Sequence, residues 1–393
     1  MEDSQFTPPA PARDASNPWN RPEREMLAAM VRSFAARELT PHLDEWERAG
    51  EVPRKIHRTL GALGVLGAGF PEAVGGSGDI IEALTVTEEI VAAGGSSGLC
   101  AALLTHGIAL PHIVRAGDPA QIAKYVLPTI AGELIGSLAI TEPDAGSDVA
   151  NIATSARRVG DKFIVNGSKT YITSGVRCDF AVVAVRTGER GRHGISLLLI
   201  DKGTPGFTVV RKLEKMGWLC SDTAELAFSD VEVPVSNLVG SQGTGFTQIM
   251  ANFTTERLSM AAQAAAVANR CVEISIAWAK QRKSFGEPLK NHKVIRHKLA
   301  EMARQAAVAT SFVHEISAAF AQGREVDAEI AMAKNTAVFA LNYVVNEAVQ
   351  LHGGLGFMRG TEVERHYRDA KVMGIGGGTN EIMNEIIAKR MGI

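Results

Sequence analysis

The sequence predicts an α+β protein made of a helical N-terminal domain, a middle antiparallel, barrel-like β-domain and a C-terminal helical bundle. Three observations carry this reading. Apolar residues recur at helical spacing from Glu23 to about Gly136, short β-rich runs with turn signals fill Leu138 to Leu238, and the helical period returns after Gly240. The expected parts are a loose tail over 1–21, the helical domain over 22–137, the β-domain over 138–240 and the bundle over 241–393.

The tail combines Pro8, Pro9, Pro11 and Pro18 with Glu2 and Asp3, which suits neither a cationic apolar signal peptide nor an acid-poor transit peptide. In the first domain Met26, Met30, Val31 and Phe34, then Leu84, Val86, Ile90 and Val91, follow helical spacing. The β-domain shows Phe163-Ile-Val165, Ala181-Val-Val-Ala-Val185, Ser196-Leu-Leu-Leu-Ile200 and Phe207-Thr-Val-Val210. Asn166-Gly167, between Phe163–Val165 and Thr170–Thr173, signals a type I′ hairpin. In the bundle, Ala261-Ala-Gln-Ala-Ala-Ala-Val267 permits close helix packing.

With 393 residues and 46% hydrophobic content, the chain can bury a large core. A net charge of -2, with acids and bases interspersed, argues against a nucleic-acid partner. Cys100, Cys178, Cys220 and Cys271 lack CxxC spacing and read as buried apolar thiols in a reducing compartment, so no metal site is expected. No apolar run reaches the roughly 18 residues that a membrane helix requires. A soluble, cytoplasmic protein without a membrane partner is therefore expected.

The most informative segments lie near the C-terminus: Leu351-His-Gly-Gly-Leu-Gly-Phe-Met358, Arg368-Asp-Ala-Lys371 and Gly376-Gly-Gly-Thr-Asn-Glu381. Three glycines running into a Thr-Asn-Glu helix start allow close approach of a ligand and expose N–H groups at the positive end of a helix dipole. That suits a polar or anionic cofactor, and locally a plain glycine-rich helix cap stays equally open. Upstream lie Ala139-Ile-Thr-Glu-Pro-Asp-Ala-Gly-Ser-Asp148, Lys169-Thr-Tyr-Ile-Thr-Ser-Gly175, Lys215-Met-Gly-Trp218, Ser221-Asp-Thr-Ala-Glu225, Val231-Glu-Val-Pro234 and Gln281-Arg-Lys-Ser-Phe-Gly286. From about Pro22 to the C-terminus, this ordered set resembles the acyl-CoA dehydrogenase family.

The resemblance implies FAD held between the β-domain and the C-terminal bundle. It also implies removal of a proton from Cα of an acyl-CoA thioester and of a hydride from Cβ, leaving a trans-2-enoyl product. Electrons would pass to an electron-transfer flavoprotein, in fatty-acid or branched-chain acyl catabolism such as β-oxidation. Many members carry the base at the position of Gly377, which has no side chain here. A subset resembling the isovaleryl-CoA and long-chain enzymes carries it near the start of the first long helix after the β-domain, where Phe253-Thr-Thr-Glu-Arg-Leu258 places Glu256. On local sequence alone Glu256 reads first as a first-turn glutamate, with Thr254 or Thr255 as N-cap. Gly377 would offer its backbone N–H to the thioester carbonyl.

For the flavin, the matching positions are Leu138, Ile140, Thr141 and Ser147, then Tyr171, Ile172 and Thr173, with Tyr171 in place of the common tryptophan. Arg282, Phe285, Gln350, Gly353 and Gly354 would reach the pyrophosphate and adenine of a neighbouring subunit's flavin, implying a homotetramer built as a dimer of dimers. Lys293 replaces a family glutamine, and Thr379 and Glu381 complete the loop over the flavin. On the substrate side Ser147 matches a contact to the pantetheine arm, and Leu99 and Leu103 match the far end of the acyl pocket or a plain core stripe. Phe253 and Arg257 fall there too, Arg257 either positioning the site or lying on a helix surface. Gly376 lacks the tyrosine common in straight-chain members, which would either leave room for a branched acyl group or simply give the backbone flexibility. A flavin monooxygenase or oxidase, or a noncatalytic flavoprotein, are the competing readings.

Overall fold

The computed structural model describes residues 17–393. The first 16 residues of the expected tail lie outside this range. Within the rest of it, Pro18–Asn20 forms a turn of 3-10 helix. The Trp19 ring stacks on His314 at 3.8 Å, and its Nε1 donates to the His314 carbonyl at 3.1 Å.

The chain divides into two compact units, each discontinuous in sequence. One comprises residues 17–44, 79–97 and 257–393, and the other 45–78 and 98–256. The first unit is helical. Its long members are Pro22–Phe34, Ile80–Ala92, Lys293–Ala321, Asp327–His352, Glu362–Met373 and Asn380–Met391. Of the expected apolar face near its start, Val31 and Phe34 are buried whereas Met26 is exposed.

The second unit is built on a seven-stranded sheet. Its strands are β1 (Gly136–Ala139), β2 (Ser155–Val159), β3 (Lys162–Thr173), β4 (Phe180–Arg186), β5 (Ile195–Asp201), β6 (Phe207–Lys212) and β7 (Thr223–Pro234). The long pairings are antiparallel, but β1 lies parallel to β4. Strands β4 and β5 are almost wholly buried because both of their faces are covered, which is why they read as unbroken apolar runs. Val182, Ala184, Leu197 and Leu199 face a cluster containing Ala109, Leu110, Ile113 and Tyr125. Ala181, Val183, Val185, Leu198 and Ile200 face the opposite cluster, around Phe163 and Leu226.

Two expectations are corrected here. Asn166-Gly167 does not turn the chain: β3 runs through it, with a register shift against β7 between Val165 and Gly167. Gly167 takes φ +148°, and the Asn166 amide exchanges hydrogen bonds with Asp230 of β7 at 2.9 Å each way. Cross-strand pairing therefore outweighs the local turn signal, and the hairpin joins β2 to β3 through Gly160-Asp161. The second concerns apolar runs. Ser97–Ala116 is long and apolar enough to cross a membrane by length and composition. Leu99, Leu103, Ala109, Leu110 and Ile113 along it are nevertheless buried inside the protein, as in a core helix.

Candidate active site

In the second unit, the end of β1 and the distal half of β3 are locked together. Thr170 N–H donates to the Thr141 carbonyl at 2.9 Å, and Lys169 Nζ donates to the Ile140 carbonyl at 2.9 Å and to Glu142 Oε1 at 2.7 Å. Glu142 also accepts the Thr154 and Ala153 N–H groups at 2.9 and 2.5 Å. Burial pushes the Lys169 ammonium down to about 8, against the raising effect of Glu142. Burial alone would raise Glu142, but Lys169 and the Ala153 N–H hold it below the usual carboxylate value. The pair thus fixes the expected flavin residues Ile140 and Thr141 against Tyr171, Ile172 and Thr173.

Those three residues differ in their surroundings. Ile172 is buried and Thr173 is half-buried, opposite Thr223 of β7. Tyr171 is 70% exposed and sits at φ +59° beside a second register shift of β3, so the backbone turns its ring outward. Leu138 and Phe253 pack against the same core cluster, and Ser147 is exposed on the loop that follows β1. Leu99 and Leu103 are both buried on the helix Ser97–Leu104. Leu103 also lines a cavity of about 10 Å³, beside His57, Thr105 and His106. Burial lowers those two imidazoles to about 3 and about 4, which keeps them neutral at pH 7.

Glu256 is placed differently from the sequence expectation. The helix that carries it runs from Gly245 to Gln281, starting well before Phe253. Glu256 lies about three turns inside it, beyond the reach of a first-turn dipole interaction. Thr255 is no N-cap, since its hydroxyl donates to the Asn252 carbonyl at 2.8 Å.

In the first unit, the glycine loop is gripped from behind. Arg257 Nε donates to the Gly377 carbonyl at 3.1 Å, and Lys334 Nζ donates to those of Gly376 and Gly378 at 2.7 and 2.5 Å. Gly377 and Gly378 take φ +62° and +97°, conformations that side chains disfavour. Thr379 caps the helix Asn380–Met391, accepting the Ile382 N–H at 3.3 Å, and Glu381 lies in its first turn. Among the described residues, the N–H groups of Gly377, Gly378 and Thr379 meet no acceptor.

The segments that carry Arg282 and Gln350 meet at Trp278. Trp278 Nε1 donates to the Leu351 carbonyl at 3.1 Å, and its ring stacks on His352, joining the ends of two long helices. A short hairpin, β8 (Lys283–Ser284) with β9 (Glu287–Pro288), carries Phe285 at φ +51° and 98% exposed. Lys293 starts the next helix and is exposed. These residues fit a flavin dinucleotide on chemical grounds. A Cβ on Gly353 or Gly354 would meet nothing within 4 Å, Phe285 offers a free aromatic face, and Arg282 and Lys293 supply cations for phosphate.

Descriptions of the acyl-CoA dehydrogenase N-terminal, middle and C-terminal domains match residues 21–133, 137–231 and 243–392. The chain belongs to the acyl-CoA dehydrogenase family. It is 39% identical to the long-chain specific acyl-CoA dehydrogenase of Mus musculus, over 94% of this chain and 86% of that protein. An acyl-CoA dehydrogenase of Bacillus subtilis is 37% identical, over 93% of this chain and 97% of that protein. A solved structure, a probable acyl CoA dehydrogenase from Mycobacterium abscessus, is 59% identical with a TM-score of 0.94, covering 95% of this chain and all of that one. The protein is accordingly an oxidoreductase of the acyl-CoA dehydrogenase class, and its family implies a flavin.

The sequence motifs of this acyl-CoA dehydrogenase do not mark Lys334, Glu142 or the structural weight of Lys169 as part of the site. A signal for Lys334 was present. It stands four residues from both Ile330 and Val338, on the apolar stripe of its helix, where a charge demands a buried partner.

Proposed function

We propose that the protein catalyses FAD-dependent α,β-dehydrogenation of a saturated acyl-CoA thioester to the trans-2-enoyl-CoA, with Glu256 as the base. The main support is a pair of facts: Glu256 lies in a helix interior where capping gives it no role, and Gly377 has no side chain and, among the described residues, no acceptor for its N–H. A bound FAD would supply the acceptor for the hydride that leaves Cβ. Glu256 takes the Cα proton and becomes the neutral acid, while the electron pair of the Cα–H bond becomes the new C=C bond. The Gly377 N–H stabilises charge developing on the thioester oxygen.

In this reading Leu138, Ile140, Thr141, Ile172 and Thr173 serve the flavin ring, with the outward Tyr171 as a flat stacking face. Ser147 serves the pantetheine arm. Arg282, Phe285, Lys293, Gln350, Gly353 and Gly354 serve the dinucleotide of a neighbouring copy, so the assembly is a homotetramer. Electrons leave to an electron-transfer flavoprotein, and the missing side chain at Gly376 favours a branched acyl group.

The test is anaerobic addition of acyl-CoA thioesters, straight and branched, to the purified flavoprotein. Bleaching of the flavin, and turnover only with an added electron acceptor, are expected. No bleaching with any thioester, or rapid turnover with oxygen alone, overturns the reading. A flavin-saturated monomer in light scattering overturns the assembly.

A further inference from the structure

All three carbonyl oxygens of Gly376, Gly377 and Gly378 are held by two cations, Lys334 and Arg257. The Lys334 side chain is fully buried in the N-terminal half of the helix Asp327–His352, on the same helix as the buried Ile330, Ala337, Val338 and Leu341. Its neighbour Asn335 donates to the Asn380 carbonyl at 3.1 Å and to Asn384 Oδ1 at 2.9 Å. One turn of helix therefore grips both the glycine loop and the helix that follows it. Burying an ammonium is costly unless its donors are satisfied, and here two of them go to this loop.

The consequence lies in the peptide plane. The Gly376 carbonyl and the Gly377 N–H belong to one trans peptide unit and point to opposite sides. A cation on the Gly376 oxygen therefore aims the Gly377 N–H away from Lys334 and polarises it, which strengthens it as a donor. The same holds for the Gly378 carbonyl and the Thr379 N–H. A φ of +62° at Gly377 gives the backbone little reason to hold this arrangement unaided.

We propose that Lys334 is a positioning residue for thioester recognition, fixing and polarising the Gly377 N–H from behind. This rests on the assignment of that N–H as the donor to the thioester carbonyl. Lys334 touches neither substrate nor cofactor in this role. Its loss weakens the donor without deleting it, so the effect is smaller than removal of an oxyanion donor: about tenfold in kcat, with KM changed less than about twofold.

The experiment uses the flavin-loaded protein and a ¹³C-carbonyl enoyl-CoA, with the carbonyl stretch read by difference infrared spectroscopy. In wild type the stretch should move to lower frequency on binding. Lys334→Met should lose most of that shift, and Lys334→Gln, which keeps an uncharged donor and tests the idea if the first variant misfolds, should lose part of it. A wild-type stretch unmoved by binding overturns the donor assignment of Gly377 itself. A wild-type shift retained in full by folded Lys334→Gln or Lys334→Met overturns the role of Lys334 and leaves the Gly377 assignment standing. A kcat loss matched by an equal rise in KM also counts against Lys334.

Discussion

Lys169 and Glu142 form a buried ion pair, Nζ to Oε1 2.7 Å, with the lysine side chain fully buried and the glutamate 7% exposed. Lys169→Met should destabilise the protein by roughly 3–5 kcal/mol, because it leaves a buried carboxylate without its cation. Replacing both, as Lys169→Met with Glu142→Leu, should recover much of that loss. Urea unfolding checks this; a single variant within about 0.5 kcal/mol of wild type, the scale of ordinary surface changes, would show that the pair bears little of the fold.

Glu256→Gln keeps the size and the helix while removing the proposed base. The variant should fold, bind flavin and lose roughly 10²-fold or more of kcat, the lower range for a general base. Single-turnover flavin bleaching isolates the step. Near-normal bleaching rates in a flavin-saturated variant would refute the assignment.

At Gly376 a Cβ would stand 3.3 Å from Met260 Cε and 3.9 Å from its Sδ, so a flexible methionine borders this position. Gly376→Tyr must displace it. The preference for 3-methyl-branched over straight thioesters, as a ratio of kcat/KM, should fall a few-fold in that variant, because one buried methyl contributes about 0.8 kcal/mol. Met260→Ala should raise the same ratio. An unchanged ratio in both variants rules out selection at this point.

Glu362 sets an acid limit. Burial would raise its carboxyl, but His366 at 3.5 Å and Arg270 at 2.6 Å bring it from 4.5 to about 2. A folded value below the unfolded one gives stability that is complete above 4.5 and lost as pH falls from 4.5 towards about 2. The full contribution is roughly 3 kcal/mol. Wild type should therefore exceed Glu362→Gln in stability at pH 6, and the gap should narrow steadily below pH 4.5. A gap independent of pH over that window contradicts the linkage.

The sequence by itself determined the fold class, the family, the order of motifs and the candidate base. These rest on local patterns: helical spacing around Val31 and Phe34, the unbroken apolar runs of β4 and β5, and glycines before Thr379. Such patterns survive folding because each segment must bury its own apolar face. Tertiary structure decided what depends on distant partners. β7 straightened the Asn166-Gly167 segment, which would turn if it stood alone, and an earlier helix start at Gly245 removed the capping role of Glu256. Lys334 meets Gly376 only across 42 residues of chain. Nothing within a few residues of either one specifies that contact, because the cost of burying the ammonium is offset only where folding brings the two carbonyl oxygens to it.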